Sequence, residues 1–282
     1  MKSGIRIVVV AALGAVVAGA SAQTIGSFAL NHGGSSYGEQ NLIGAGTATN
    51  AGLADFRLGA APDHLFQNWW WYNTNQLTRE YALGNQVSGS SSGNHARIVY
   101  TESGGPSLPN ALLFDLEYTL TQVSSELAVV QIGWKVHNLS NTTLAVNFFS
   151  YTDFDLNNTG GDDSGLFIAP NQMQISDASA YQAGLIASST GLVGWEQGPY
   201  ASIRNKLTNA SLDNLANATT PFGPGDWTGA FQWNFTLAAN GTSGGADQRV
   251  GSLVKYVAVP EPASMLALAA GVGVLLRRRR RA

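Results

Sequence analysis

The stretch "YTDFDLNNTGGDD" sets Asp153, Asp155 and Asn157 at alternate positions and brings in Asp162 and Asp163 after a Gly pair. Carboxylate and amide oxygens gathered in one loop are the donor set of a hard cation, and Ca2+ is the cofactor they point to. The spacing is not that of an EF-hand: Asn158 stands where the sixth-position Gly is needed, and Ser164 where the bidentate Glu is needed. On an extended strand, residues two apart are separated by ~6.7 Å, so the leading oxygens close on one ion only if the chain curls. Two readings therefore stand for this segment, a Ca2+ loop and a solvated strand end with its turn. No other cofactor is expected.

A second candidate is "HLFQNWWWYNTN", where Trp69, Trp70, Trp71 and Tyr72 are consecutive. Aromatic faces stack on sugar rings, and neighbouring Asn and Gln side chains hydrogen-bond hydroxyls. On a strand, Trp69 and Trp71 face one way and Trp70 and Tyr72 the other. One pair then belongs to the core, and the other is the candidate glycan contact.

Other potential chemistry falls away on context. "GSSSG" at 89–93 fits a nucleophile-elbow pattern but sits in a Ser/Gly tract, without the apolar strand and following helix that the motif needs. His32, His64, His95 and His137 are scattered with no metal-binding spacing and read as surface or turn residues. Asp115 and Glu117 share the polar face of one strand, whereas glycosidase carboxylates face each other across a cleft.

The elements that must position these groups are strands. In "LLFDLEYTLTQ", Leu112, Phe114, Leu116, Tyr118 and Leu120 alternate with mostly polar neighbours. "LAVVQIGWKVHN" and "FQWNFTLAANGT" repeat the pattern, which belongs to antiparallel sheets with one wet side. Turn clusters such as "NLSNTT" and "NNTGGDDSG" separate them. The expected fold is all-β, an antiparallel β-sandwich of jelly-roll or immunoglobulin-like type. "SIRNKLTNASLDNLAN" carries the one hint of helical period, and "GNQVSGSSSGNH" at 84–95 reads as a flexible loop.

Both ends of the chain carry addresses. Lys2 and Arg6 precede an apolar run and then Ala20-Ser21-Ala22, the pattern of a secretory signal peptide cut after Ala22. Removing the charges of 1–22 and of 260–282 leaves 8 Lys plus Arg against 17 Asp plus Glu, so the body 23–259 is near −9. That balance disfavours nucleic acid as a partner. Charged residues are only 12% of the chain, against ~25% in ordinary soluble proteins. With no cysteine there is neither a disulfide framework nor thiolate chemistry, so stability must come from the core.

At the other end, Pro260-Glu261-Pro262 is followed by an apolar segment ending at Leu276 and by Arg277, Arg278, Arg279, Arg280 and Arg281. One short membrane helix with the arginines on the cytoplasmic side fits this order. These three features resemble the PEP-CTERM sorting signal of Gram-negative bacteria. The resemblance implies an exosortase, an integral membrane cysteine protease, acting near Pro260-Glu261-Pro262 on an inner-membrane intermediate. It further implies export to the outer envelope or extracellular matrix, in the company of exopolysaccharide, and no activity for the body.

Three segments are therefore expected: a signal peptide at 1–22, one exported β-sandwich domain at 23–259 and a sorting signal at 260–282. Signal peptidase and exosortase are the expected processing enzymes, and exopolysaccharide the expected environmental partner. The body is read as non-enzymatic, structural or glycan-associated. The alternatives are a secreted carbohydrate-active enzyme and a Ca2+-stabilised adhesin or lectin.

Overall fold

The period-2 segments become the long central strands of an antiparallel β-sandwich. A computed structural model describes residues 23–44, 52–179, 181–240 and 247–259. The signal segment with Ala20 and Ala22, and the tail with Pro260, Glu261, Pro262, its apolar segment and Arg277 to Arg281, lie outside the described residues. Among the described residues no helix is long and apolar enough to cross a membrane.

In chain order the elements are β1 (Ser27–His32), β2 (Ser35–Gln40), β3 (Ala54–Arg57), β4 (Leu65–Thr74), β5 (Tyr81–Ala82), β6 (Gln86–Ser92), β7 (His95–Glu102), β8 (Leu112–Ser124) and β9 (Leu127–Asn138). They continue with β10 (Leu144–Phe154), β11 (Asp163–Ala169), β12 (Gln172–Ser176), β13 (Gln182–Ala187), β14 (Leu192–Pro199), α1 (Ser202–Thr208), β15 (Phe222–Gly225), β16 (Trp227–Leu237) and β17 (Gln248–Ala258). One sheet runs β15-β11-β12-β13-β17-β9-β8-β7-β6, a second β14-β16-β10-β4-β5, and a small third β1-β2-β3. Every pairing between these strands is antiparallel.

The two large sheets meet through rings. Phe148 of β10 stacks on Trp70 of β4, with centroids 5.0 Å apart and planes at 13°. From the opposing sheet, Phe114 approaches Phe148 at 5.2 Å and Trp134 meets it edge-on at 5.4 Å. Trp134 is also edge-on to Trp233 of β16 at 5.4 Å. The small sheet adds Phe28, whose ring lies 4.9 Å from Tyr118. Such offset and edge-on contacts satisfy the ring quadrupoles while burying large apolar area.

The five-stranded sheet is apolar on its other face as well. There Trp69, Trp71, Phe149 and Tyr151 pack under Ile203 and Leu207 of α1 and under Leu215. Ile203 and Leu207, four residues apart, form the buried stripe of this single short helix.

A polar network runs through the core. Glu39 accepts hydrogen bonds from Tyr37 Oη, from Asn68 Nδ2 at 2.5 Å and from Tyr118 Oη at 3.3 Å. Fully buried Lys255 donates to Thr152 Oγ1. Burial pushes Glu39 up to about 7 and Lys255 down to about 7, each partly restored by the other's charge.

One loop expectation is corrected. Residues 86–92 pair with β7 as the edge strand of the large sheet, reversing at Gly93, whose φ is 58°. Backbone pairing across a tight turn overrides a Ser/Gly composition, because the hydrogen-bond ladder needs no particular side chain. Arg97 of β7 donates to Asp115 from Nε and Nη2, each at 2.8 Å, which places that carboxylate in a cross-strand ion pair.

Phe148→Ala is expected to lower stability by about 3 to 5 kcal/mol, since it empties the centre of the ring cluster. Urea unfolding checks this. A loss below about 1 kcal/mol would mean that the rings do not carry the sheet contact.

Candidate functional site

The polar corner of the molecule begins where β10 ends. Opposite β4, the register slips between Asp153 and Phe154, so that Phe154 pairs with Leu65. Asp155 then leaves the strand with φ −112° and ψ 80° and opens a single 3-10 turn at Leu156–Asn158. Asn157 and Asn158 both adopt left-handed φ values, 58° and 59°, which Asn tolerates better than other non-Gly residues. His64 holds this turn, its carbonyl accepting from Asp155 N at 3.2 Å and its Nδ1 from Asn157 N at 3.0 Å.

The slip between Asp153 and Phe154, followed by the departure of Asp155 from the strand, removes the geometric objection raised by an extended strand. Carboxylate oxygens of Asp153, Asp155 and Asp226 all lie within 4.8 Å of one another. Asp226 follows β15 directly, and its carbonyl accepts from Tyr200 N at 2.8 Å. Asp163, the first residue of β11, stands behind the trio and pairs with Gly225. Asp153 is 1% exposed, receives Tyr151 Oη at 3.5 Å on Oδ2, and has no protein partner for Oδ1. Asp163 is fully buried, and neither of its oxygens meets a donor in good geometry, the Leu156 N–H being only a loose neighbour.

The electrostatics follow from burial and like charge. Burial first, then Asp155 and Asp226, pushes the Asp153 carboxyl well above the usual range. Burial and Asp226 push Asp155 up to about 6. Asp163 is pushed up to about 8 by burial and then by Asp155, and Asp226 is raised by burial. Among the described residues, none of these four carboxylates forms an ion pair with Lys, Arg or His. The oxygens that could hold a cation are thus those of Asp153, Asp155 and Asp226, with Asp163 adjoining.

The other expected ligands are placed differently. Asp162 accepts the Thr159 hydroxyl at 2.9 Å, and Asn157 contributes its backbone to the turn. Asp226 was not singled out from the sequence: a lone Asp in "PFGPGDWTG", far along the chain, carries no local signal.

Two other expectations are corrected. Trp69, Trp70, Trp71 and Tyr72 are all buried, so none offers a face to a sugar. Helix α1 and Leu215 occupy the outward side, because a sheet with two apolar faces must be covered on both. His64 is a core residue rather than a surface one, 4.5 Å from the Tyr181 ring and pushed down to about 4 by burial.

Outside the same corner lies an open groove of about 390 Å3. Met173, Ile175, Ala183 and Leu185 turn inward, so Ser164, Gln174, Ser176 and Gln182 point out and form its floor. Pro221 and Phe222 form one wall, and Gln174 Nε2 donates to Gln182 Oε1 at 3.0 Å. Gln197 ties this wall down, donating to Thr220 O at 2.8 Å and accepting Trp227 Nε1 at 2.9 Å. Groove and carboxylates occupy opposite sides of the β11–β15 pair, with Ser164 facing out beside inward Asp163.

Residues 258–281 match the PEP-CTERM protein-sorting motif. No curated protein matches the chain. Among solved structures, a bacterial glucoamylase complexed with acarbose is 10% identical with TM-score 0.46, covering 84% of this chain and 31% of its own. A putative aldose 1-epimerase from Escherichia coli K12 is 11% identical with TM-score 0.46, covering 82% of this chain and 98% of its own. A family GH92 α-mannosidase from Bacteroides thetaiotaomicron is 9% identical with TM-score 0.39, covering 81% and 30%. The chain thus spans about a third of the glucoamylase and of the mannosidase. At such identity these are likenesses of fold alone. Against the expectation of a non-enzymatic body, the three solved chains just described are sugar-acting enzymes, and that expectation is withdrawn.

Raised folded-state values of about 6 and about 8 for Asp155 and Asp163 stand above the ~3.9 of an unfolded Asp. The folded chain therefore holds these protons more tightly, a stabilisation present below about pH 4 and lost as pH rises through 6 to 8. In EDTA the Tm is expected to fall from about pH 5 to about pH 8, and Asp163→Asn to flatten the fall. Equal slopes in both proteins would remove the carboxylates as its cause.

Proposed function

We propose that this chain is a secreted carbohydrate-active protein whose groove receives a glycan chain outside the inner membrane. The PEP-CTERM motif at 258–281 marks it as an exported protein processed by exosortase. In this reading residues 1–22 direct secretion and are cut after Ala22, and the tail holds the body until cleavage near Pro260-Glu261-Pro262. The mature body then resides in the outer envelope or matrix, where exopolysaccharide is its substrate class.

The observation that carries the reading is the groove. Ser and Gln side chains with one phenyl wall are the mixture that sugars require, neutral hydrogen-bonding groups for hydroxyls and an apolar face for ring C–H groups. Its neutral lining disfavours a strongly charged ligand, and its openness to solvent suits a polymer that passes through.

Two experiments test the proposal. In gels cast with exopolysaccharide from the producing cell, the exported protein is expected to be retarded, with affinity about tenfold weaker after Gln174→Ala and Phe222→Ala together. Unretarded wild type would overturn the groove reading. Replacing Pro260, Glu261 and Pro262 with Ala is expected to leave an uncleaved protein in the inner membrane, read by intact mass and fractionation. Normal tail removal in that variant would place the processing signal elsewhere.

A further inference from the structure

We infer that Asp153, Asp155 and Asp226 form a Ca2+ site, with Asp163 behind them, that pins the end of β10 to the β15–β16 corner. This stands independently of the glycan reading, because it rests on inward carboxylates rather than on the groove.

Oxygens bound to one Ca2+ at about 2.4 Å lie at most about 4.8 Å apart, and one oxygen from each of the three carboxylates meets that bound. Asp153 Oδ1 is buried without a protein hydrogen bond, and uncompensated burial of a charged oxygen is costly. The carboxylate of Asp163 is likewise enclosed, against Asp155, outside the trio itself. Four acids converge, and no described basic side chain pairs with any of them.

The donor chemistry selects the ion. The converging donors are carboxylate oxygens, with no His nitrogen or thiolate among them, which favours Ca2+ or Mg2+ over Zn2+. Asp155 and Asp226 are partly exposed, leaving room for water to complete six to eight ligands. The site is assembled from a strand end and two separate turns. Such irregular donors suit the flexible shell of Ca2+ better than the strict octahedron of Mg2+.

The consequence reaches the groove. Asp226 is joined through Gly225 to β15, whose Phe222 is a groove wall, and β15 is a four-residue edge strand paired only with β11. A cation between Asp226 and the β10 end therefore fixes a segment that short edge pairing holds weakly.

The test measures Ca2+ binding to the exported protein by titration calorimetry, alongside thermal melts in Ca2+, Mg2+ and EDTA. Ca2+ at a hundredfold above Kd is expected to raise Tm by about 5 to 10 °C. Asp226→Asn, at a partly exposed position, is expected to abolish both the heat and the shift, while Asp162→Asn retains them. Equal wild-type melts in Ca2+ and EDTA would overturn the site. So would an equal Ca2+ shift in all three proteins, and an equal shift with Mg2+ would overturn the Ca2+ assignment. Since gel retardation reads glycan binding separately, failure of one proposal leaves the other standing.

Discussion

The contact between Phe148 and Trp70, clasped by Phe114 and Trp134 from the opposite sheet, is the interaction on which the rest of the structure depends. A chain without cysteine has no covalent staple, so two sheets stay together only through what they bury. Rings supply that area at few positions. The same strands that bring Trp70 and Phe148 inward carry Trp71 and Phe149 to the other face, which then requires helix α1. The helix is a consequence of the aromatic run rather than an independent feature.

Two kinds of polar burial contrast within this frame. Glu39 sits in the core among Tyr37, Asn68 and Tyr118, each of which donates a hydrogen bond to it. Asp153 and Asp163, at the edge of the same core, have few such donors and face further carboxylates. The first arrangement is internally satisfied, which is how a buried charge is ordinarily retained. The second leaves acids that give up their protons only at a cost unless a cation compensates them, which is the pattern expected of a site rather than of a structural network.

Export gives that corner its context. Outside the inner membrane, modules that bind Ca2+ in the ~0.1 to 1 mM range are occupied by ordinary environmental concentrations, whereas the cytosol would leave them vacant. A cation holding β15 would then complete the groove wall only after the protein has left the cytoplasm. The PEP-CTERM motif at 258–281 supports the export on which this timing rests.

By itself the sequence determined export and the class of fold. Pro260-Glu261-Pro262 with its basic end is linear, and the alternation in β8, β9 and β16 is a local consequence of side chains pointing to opposite faces, so both are legible without neighbours. The alternating rule also gave the two faces of Trp69 to Tyr72, but not that α1 covers the outer one, because burial depends on what packs from elsewhere. Asp153 and Asp155 were visible as a pair of donors. Their closure was not, because it depends on the register slip between Asp153 and Phe154 and on the arrival of Asp226 beside them. Asp226 lay wholly beyond reach of the sequence, since it reaches the end of β10 through the pairing of β16 with β10, in which Asp153 stands opposite Thr228. Only the tertiary structure could decide this, because like charges distant in the chain are brought together by the sheet that their own repulsion opposes.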